Sequence, residues 1–229
     1  MQRRQFNHVL TQTALVTPLW LAAKPAQALT QAQAAQALKD SLQAGAQFAV
    51  KQLGTTDGFW AAEKVRIPLP PFLAQAQPLL KTFGQGQRLN ALHLAINRAA
   101  ESAVASALPL LQGAVSRLSV SDAVSILKGG DTAVTDYFAA ATRAPLQAQF
   151  LPVVRRTTDQ YNASAQYTKL LAKAKRFGVG KDQPDTVADH VTATALDSLY
   201  ATLSEAEQRL RASPRQAATQ LLRQVFGSL

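Results

Sequence analysis

The chain has 229 residues, of which 24 are basic, 14 are acidic and none is cysteine. The lack of cysteine excludes disulfides, thiolate metal sites and a thiol nucleophile. Apolar residues, many of them alanine, make up 47% of the chain and aromatic residues 7%, which favours helices packed on small side chains over a β-sandwich.

Residues 1–28 have the three parts of an export signal. A basic start, MQRRQF, precedes an apolar run over Val9–Ala23, and Ala26-Gln27-Ala28 offers small side chains for cleavage. The apolar run has about 15 residues, fewer than the roughly 20 that span a bilayer. We therefore expect cleavage after Ala28, a periplasmic mature chain over Leu29–Leu229, and no transmembrane span in that chain.

The sequence allows three interpretations of this leader: two export routes and a retained anchor. Arg3-Arg4-Gln5-Phe6 resembles the twin-arginine signature, and Lys24 before the cleavage site is typical of signals that avoid the general secretion route. Twin-arginine export is the expected route. General secretion and a retained N-terminal anchor are the alternatives.

Helical signals begin directly after the leader. Thr30 and Gln33 form a capping box, which predicts a helix that runs to Leu53 and ends at Gly54. This boundary places the first helix at the start of the mature chain.

The next stretch combines an extended segment with two helices. The prolines of VRIPLPP, residues 65–71, exclude a central strand, so we predict an extended segment laid across helices. Helical patterns follow at 72–83 and 87–118. Pro109 should kink or split the second of them.

Residues 119–143 carry the most regular local pattern, a pair of capped helices. Ser119 or Ser121 is placed to cap the first helix, and Gly129-Gly130 ends it. Asp131-Thr132 is placed to cap the second. This predicts a helix, a glycine break and another helix.

The C-terminal third is also helical by pattern. A helix is expected over 145–177, interrupted near Pro152 and around Asn162, and a long amphipathic helix over 185–212. Ser213-Pro214-Arg215-Gln216 has the cap, proline and glutamine spacing that starts a last helix.

The helix at 185–212 carries two i,i+4 ion pairs, Glu205 with Arg209 and Glu207 with Arg211, which we place on its outer face. Taken together, the elements predict an all-α fold. We expect one domain over residues 29–229, with about seven to eight helices and one extended proline-rich segment.

Several ordered blocks resemble one known family. They are DGFW (57–60), VRIPLP (65–70), NRAAE (97–101), the SxxDAxxILxGGDTAxTxYF pattern (119–138), FLPVV (150–154), VTxxALDxLY (191–200), ExxLRxxP (207–214) and LLRQVFG (221–227). Together they resemble the exported bacterial proteins of the domain-of-unknown-function 4197 family. The resemblance implies an exported, mainly helical protein without an assignable activity. Ser198 and His190 stand where a glycine and an aromatic residue are expected, and neither is expected to contact a site.

One helix face could carry chemistry. His93, Asn97 and Glu101 lie at i, i+4 and i+8, so a histidine and a glutamate could act as base and orienter. The alternative is a hydrogen-bonded polar strip at a helix interface.

Arg66 stands among apolar neighbours in the extended segment. We expect it to pair with Glu101 or Asp131, because a buried cation needs a carboxylate. The alternative is that Arg66 holds a ligand anion. A wider polar centre for an enzyme would consist of Arg66, Asn97, Glu101, Asp131 and Tyr137.

Metal and cofactor sites have no support in the sequence. His93 and His190 are far apart, which argues against zinc. Gly129-Gly130-Asp131-Thr132 lacks the lysine-serine ending of a phosphate-binding loop, and no Gly-x-Ser-x-Gly elbow occurs. We expect no cofactor and no metal.

The basic residues are concentrated in one segment. Between Arg143 and Lys181 there are eight basic residues and one acidic residue. Lys169, Lys173 and Arg176 flank an apolar stripe, which suits a face that binds anionic lipid, lipopolysaccharide or another polyanion. The alternative is the solvated face of a core helix. Export argues against nucleic acid as the partner.

Two functions follow from these patterns. The first is a non-catalytic binding or interaction protein of the cell envelope, whose partner is an envelope component, an apolar ligand or another protein. The second is an enzyme built on the polar centre. A closed polar network would favour the first, and a solvent-reachable pocket lined by those side chains would favour the second.

Overall fold

The computed structural model describes residues 29–176, 178 and 186–229. The leader lies outside these residues, so the signal peptide and its cleavage site stay predictions. Within the described ranges the chain forms nine α-helices and no strand, and their apolar faces meet in one core. The predicted all-α fold is confirmed.

The helices connect in chain order with short links. Their bounds are α1 Gln31–Leu53, α2 Pro71–Thr82, α3 Gly86–Ala105, α4 Leu108–Arg117, α5 Ala123–Leu127, α6 Ala133–Gln160, α7 Ala163–Arg176, α8 Ala188–Ala212 and α9 Gln220–Phe226. A single 3-10 turn at Pro214–Gln216 separates α8 from α9.

Four long helices form the centre of the molecule. α8 packs against α1 and α6, and α3 packs against α6 and also contacts α8. α7 covers α3 and α2, while α4, α5 and α9 cover α1. Buried alanines such as Ala99, Ala100 and Ala103 on α3 give the small contact surfaces that the composition predicts.

The start of the fold agrees with the sequence patterns. Thr30 Oγ1 accepts a hydrogen bond from the Gln33 amide, and Gln33 Oε1 accepts one from the Thr30 amide, both at 3.2 Å. This confirms the capping box of α1. Pro109 is the second residue of α4, so the long pattern at 87–118 is split as predicted.

The caps of α5 and α6 differ from the prediction. Asp122 caps α5, because its Oδ1 accepts from the Ser125 amide at 3.3 Å, and neither Ser119 nor Ser121 does so. α6 begins after Thr132, whose hydroxyl donates to the Asp136 carboxylate instead of capping the backbone. The first amides of α6 are satisfied from another helix.

The predicted interruption near Pro152 is wrong, and so is the helix boundary that was placed between Arg143 and Pro145. α6 is continuous through both prolines to Gln160. Each proline frees the carbonyl four residues earlier, and those carbonyls belong to Ala141 and Ala148, which lie on the exposed face where water can bond them. The buried side of the helix is uninterrupted, so packing outweighs the loss.

The other predicted break is confirmed. Asn162 has a φ of +57°, a left-handed conformation that asparagine tolerates, and it separates α6 from α7. The start of the last helix is placed wrongly by the sequence. Ser213–Gln216 forms only the 3-10 turn, and α9 is capped by Thr219, whose Oγ1 accepts from the Leu222 amide at 3.2 Å.

Within the described ranges, none of the helices combines the length and the apolar character that crossing a membrane requires.

A close approach between α1 and α3 gives a test of the packing. A Cβ on Gly54 would lie 2.7 Å from the Val50 carbonyl and 2.9 Å from the backbone of Ala105. Since both obstacles are backbone, we expect Gly54→Ala to lower the free energy of unfolding by about 1–3 kcal/mol in urea titrations. Gly130→Ala is the control, because nothing lies within 4 Å of its Cβ position. Equal stability of the two variants would contradict this packing.

Candidate functional site

The segment between α1 and α2 crosses α3 and α8 without regular secondary structure. Phe59 and Ile67 are 0% and 1% exposed, so their backbone amides and carbonyls need partners inside the protein. Side chains of α3 and α8 supply these partners. We name this set the segment clamp; it consists of His93, Asn97, Glu101, His190 and Ser198.

The side chain of Asn97 makes two hydrogen bonds to the backbone of Ile67, as the backbone of a neighbouring β-strand would. Its Oδ1 accepts from the Ile67 amide at 2.9 Å, and its Nδ2 donates to the Ile67 carbonyl at 3.0 Å. His93 Nε2 contacts the same carbonyl at 3.0 Å. Asn97 is fully buried, and its Nδ2 also donates to the His93 carbonyl, so the amide side chain is satisfied.

Glu101 holds the turn that follows α1. Its Oε1 accepts from the amides of Phe59 and Trp60 at 3.2 and 3.1 Å. Its Oε2 accepts from Arg98 at 2.8 Å, and Arg98 also pairs with Asp57 at 2.7 Å. Glu101 is only 4% exposed, so this charge is compensated inside the protein.

α8 completes the segment clamp from the opposite side. His190 Nε2 lies 2.9 Å from the Pro68 carbonyl, and Ser198 Oγ donates to the Val65 carbonyl at 3.3 Å. From the sequence, neither residue is expected to contact a site. Both contact the extended segment, and only the packing of α8 against residues more than a hundred positions earlier reveals it.

Burial disfavours the charged form of both histidines of the segment clamp. Burial lowers the pKa of both His93 and His190, and the hydrogen bond to a backbone carbonyl opposes this in each case. The charge of Arg66 lowers the pKa of His93 further. Because carbonyls only accept, Nε2 carries the proton in both rings.

The predicted carboxylate partner of Arg66 is wrong. Arg66 is exposed, its Nε donates to the Trp60 carbonyl at 2.6 Å, and its guanidinium lies over the Trp60 ring at 5.3 Å. Successive side chains of the extended segment alternate in direction, so Ile67 and Leu69 point into the core while Arg66 points outward. Glu101 pairs with Arg98 instead.

The proposed polar centre is not one site. Asn97 and Glu101 lie against the extended segment, whereas Tyr137 donates its hydroxyl to the Ser119 carbonyl and Asp131 is exposed before α6. Asn97 and Glu101 therefore form the hydrogen-bonded strip that was the alternative. None of the five residues lines either groove described below.

A second buried carboxylate was missed. Glu207 accepts from the Val134 and Thr135 amides at 3.1 and 2.8 Å, so it caps the start of α6 from α8. Arg211 pairs with it at 2.8 Å and donates to the Leu127 carbonyl. The prediction that Glu207 lies on the outer face is wrong. Its spacing from Leu203 and Tyr200 on the apolar stripe was the signal that could have placed it inward.

Two surface grooves occur in the described part of the chain. One, of about 260 Å³, lies between α1, α8 and α9 and is largely apolar, with Leu42, Phe48 and Leu210 in its walls and Glu207 beside them. The other, of about 290 Å³, lies between α4 and α6. The described residues hold no group of three histidine, aspartate or glutamate side chains placed for a metal ion.

The basic segment has its apolar stripe inside the core. Five side chains of α7 are buried against neighbouring helices, so they are not available to a ligand: Ala163, Tyr167, Leu170, Leu171 and Ala174. Lys169 and Arg176 are exposed and Lys173 is half-buried. α7 thus offers charge and no apolar surface.

The two carboxylates of α8 provide a matched test. Glu207→Ala leaves two buried amides and Arg211 without their partner, so we expect a loss of about 3–5 kcal/mol of unfolding free energy. Glu205 forms an exposed pair with Arg209 at 3.6 Å, and Glu205→Ala should cost less than about 1 kcal/mol. Similar losses, measured by urea unfolding, would show that Glu207 is not the cap of α6.

The histidines predict a pH dependence. Folding lowers both pKa values, so the unfolded chain takes up protons first as the pH falls below about 6.5. Stability should be greatest above that pH and decline below it. The double variant His93→Gln, His190→Gln keeps an N–H donor at both places without titrating. Urea unfolding at about pH 7.5 and 5.5 should show a smaller decline in the variant, and an unchanged decline would exclude these histidines as its cause.

Comparison with known protein families identifies one family whose model matches this chain. The model of a family described as a protein of unknown function (DUF4197) matches residues 28–227. No curated protein and no solved structure matches the chain. The match covers nearly the whole sequence and agrees with the ordered blocks identified above, so this chain belongs to the DUF4197 family.

Proposed function

We propose that this is an exported, non-catalytic binding protein of the cell envelope that docks on an anionic lipid surface. The observation that carries the proposal is a set of cations on α2, the first half of α3 and α7, three helices that contact one another and whose described residues in these parts include no acid. No acidic residue occurs between Glu63 and Glu101, or between Asp159 and Asp182. α7 contacts both α2 and α3, which brings these two acid-free stretches together.

The cationic face is defined by five side chains: Lys81, Arg88, Lys169, Lys173 and Arg176. None of them forms an ion pair with an acidic residue in the ranges that the structure describes. A face of one sign attracts a surface of the opposite sign, and each basic residue near an anionic membrane contributes about 1 kcal/mol.

The absence of a reaction is supported by how the polar side chains are used. Asn97, Glu101 and Glu207 are buried and bonded to backbone amides. A base or acid needs to reach a substrate proton, and these groups face the protein's own chain. The enzyme alternative would require the extended segment to leave its place.

The leader supplies the export part of the proposal. In the twin-arginine route the arginine pair itself is recognised, so Arg3→Lys with Arg4→Lys should keep the precursor in the cytoplasm. Cell fractionation after pulse labelling measures this. Unchanged appearance of the mature chain in the periplasm would assign the leader to general secretion.

Binding to vesicles tests the docking. We expect the mature chain to sediment with anionic phospholipid vesicles and not with neutral ones. Changing Lys169, Lys173 and Arg176 together to glutamine should weaken binding roughly a hundredfold. Binding should also fall between about 0.1 M and 1 M salt, because the screening length shortens from about 10 Å to about 3 Å.

The control removes the same charge elsewhere. Lys51, Lys128 and Arg215 are also two lysines and one arginine, and all are exposed. Their triple glutamine variant should bind far better than the first. Equal binding by both variants would show that net charge, and not this face, drives the association. A parallel arm with lipopolysaccharide-containing vesicles identifies which anionic lipid is preferred.

A further inference from the structure

We propose that the corner between α2 and α3 is the part of this protein that enters an anionic phospholipid bilayer, which rests on the docking proposed above. The described residues include five exposed large hydrophobic side chains, and three of them belong to this corner. Leu79, Phe83 and Leu94 are 37%, 53% and 37% exposed. We name these three side chains the apolar corner.

A tight turn connects α2 and α3, the two helices at this corner. α2 ends at Thr82 and α3 begins at Gly86. Gly84 has a φ of +70°, which glycine adopts without strain, and the Gln85 amide donates to the Leu80 carbonyl at 2.9 Å. The last turn of α2 and the first turns of α3 are therefore neighbours, with Leu94 about 12 Å along α3.

The outer face of α2 is nearly free of charge. Its exposed positions are Pro71, Ala74, Gln75, Pro78, Leu79, Lys81 and Thr82, followed by Phe83. Only one of these is charged, whereas the exposed side of a helix in water ordinarily carries charged residues of both signs. A face of this kind suits a less polar medium than water.

Cations adjoin the apolar corner. Lys81 lies between Leu79 and Phe83 in the chain, and Arg88 lies in the first turns of α3. Long basic side chains can bond lipid phosphates while their methylene stems lie beside apolar groups. Exposed apolar side chains next to cations, with no acidic residue in α2 or the first half of α3, are typical of helices that lie in the membrane interface.

The charge of this region favours a bilayer over a second copy of the chain. Two copies facing each other here would bring like charges together, because none of the described residues of α2, the first half of α3 and α7 is acidic. Three side chains are also too few for a stable dimer, which buries roughly 1,200–2,000 Å². An anionic bilayer offers opposite charge at its surface and hydrocarbon below it.

The experiment places a fluorescent side chain in the corner. Trp60 is the only tryptophan after the leader. The chain over Leu29–Leu229 holds the whole core, and Trp60→Phe in this chain removes its tryptophan fluorescence. Phe83→Trp in this background should shift its emission to the blue with anionic vesicles and be quenched by brominated acyl chains. Leu229→Trp is the control, since Leu229 is 47% exposed at the far end of the chain, and it should not be quenched.

The outcomes separate this inference from the proposed function. Quenching of Phe83→Trp alone supports it. Sedimentation with anionic vesicles but no quenching would overturn the apolar corner and leave the docking by charge intact. No binding to anionic vesicles at all would overturn both. Equal quenching at both tryptophans would point to unspecific insertion and would also overturn the inference.

A second readout uses salt. Leu79→Gln with Phe83→Gln should lose the binding that survives high salt, while the matched Leu229→Gln keeps it. This follows because apolar insertion is not screened by ions, whereas the attraction of the cationic face is. If the corner variant binds at high salt as well as the Leu229 variant does, the corner does not enter the bilayer.

Discussion

The fold depends on one constraint, which is that buried backbone groups need hydrogen-bond partners. The segment between α1 and α2 buries Ile67 and Leu69 in the core and has no neighbouring strand in the described ranges. Asn97 supplies both bonds of Ile67, and Glu101 supplies the bonds of the preceding turn. Since α3 and α8 both bond to the segment, it links these two helices in addition to their direct contact.

The same constraint explains the two buried carboxylates. Glu101 accepts from loop amides and Glu207 from the first amides of α6, and each has an arginine from its own helix. A buried charge is tolerated when it is paired and hydrogen-bonded, as these are. Residues that look reactive in the sequence therefore serve the architecture. We propose that the cationic face with its apolar corner is the surface that meets a partner.

The sequence predicted the helices well and the long-range contacts poorly. Caps and periodicity are local, so Thr30, Pro109 and Asn162 mark boundaries correctly. α6 is continuous through its prolines because the carbonyls that they leave unbonded lie on the side of the helix that faces water. The sequence near each proline does not show which side of the helix is exposed. The outward position of Arg66 depends on the pairing of Ile67 with Asn97. The role of His190 depends on the Pro68 carbonyl, more than a hundred residues earlier in the chain.

Amide hydrogen exchange tests the segment clamp most directly. The Ile67 amide lies outside every helix, so without Asn97 it should exchange as fast as an exposed loop amide. We predict protection at Ile67 comparable with that of α3 in the native protein, and its loss in Asn97→Ala while the Trp60 amide, held by Glu101, stays protected. Exchange at Ile67 in the native protein as fast as at exposed Lys64 would contradict the account.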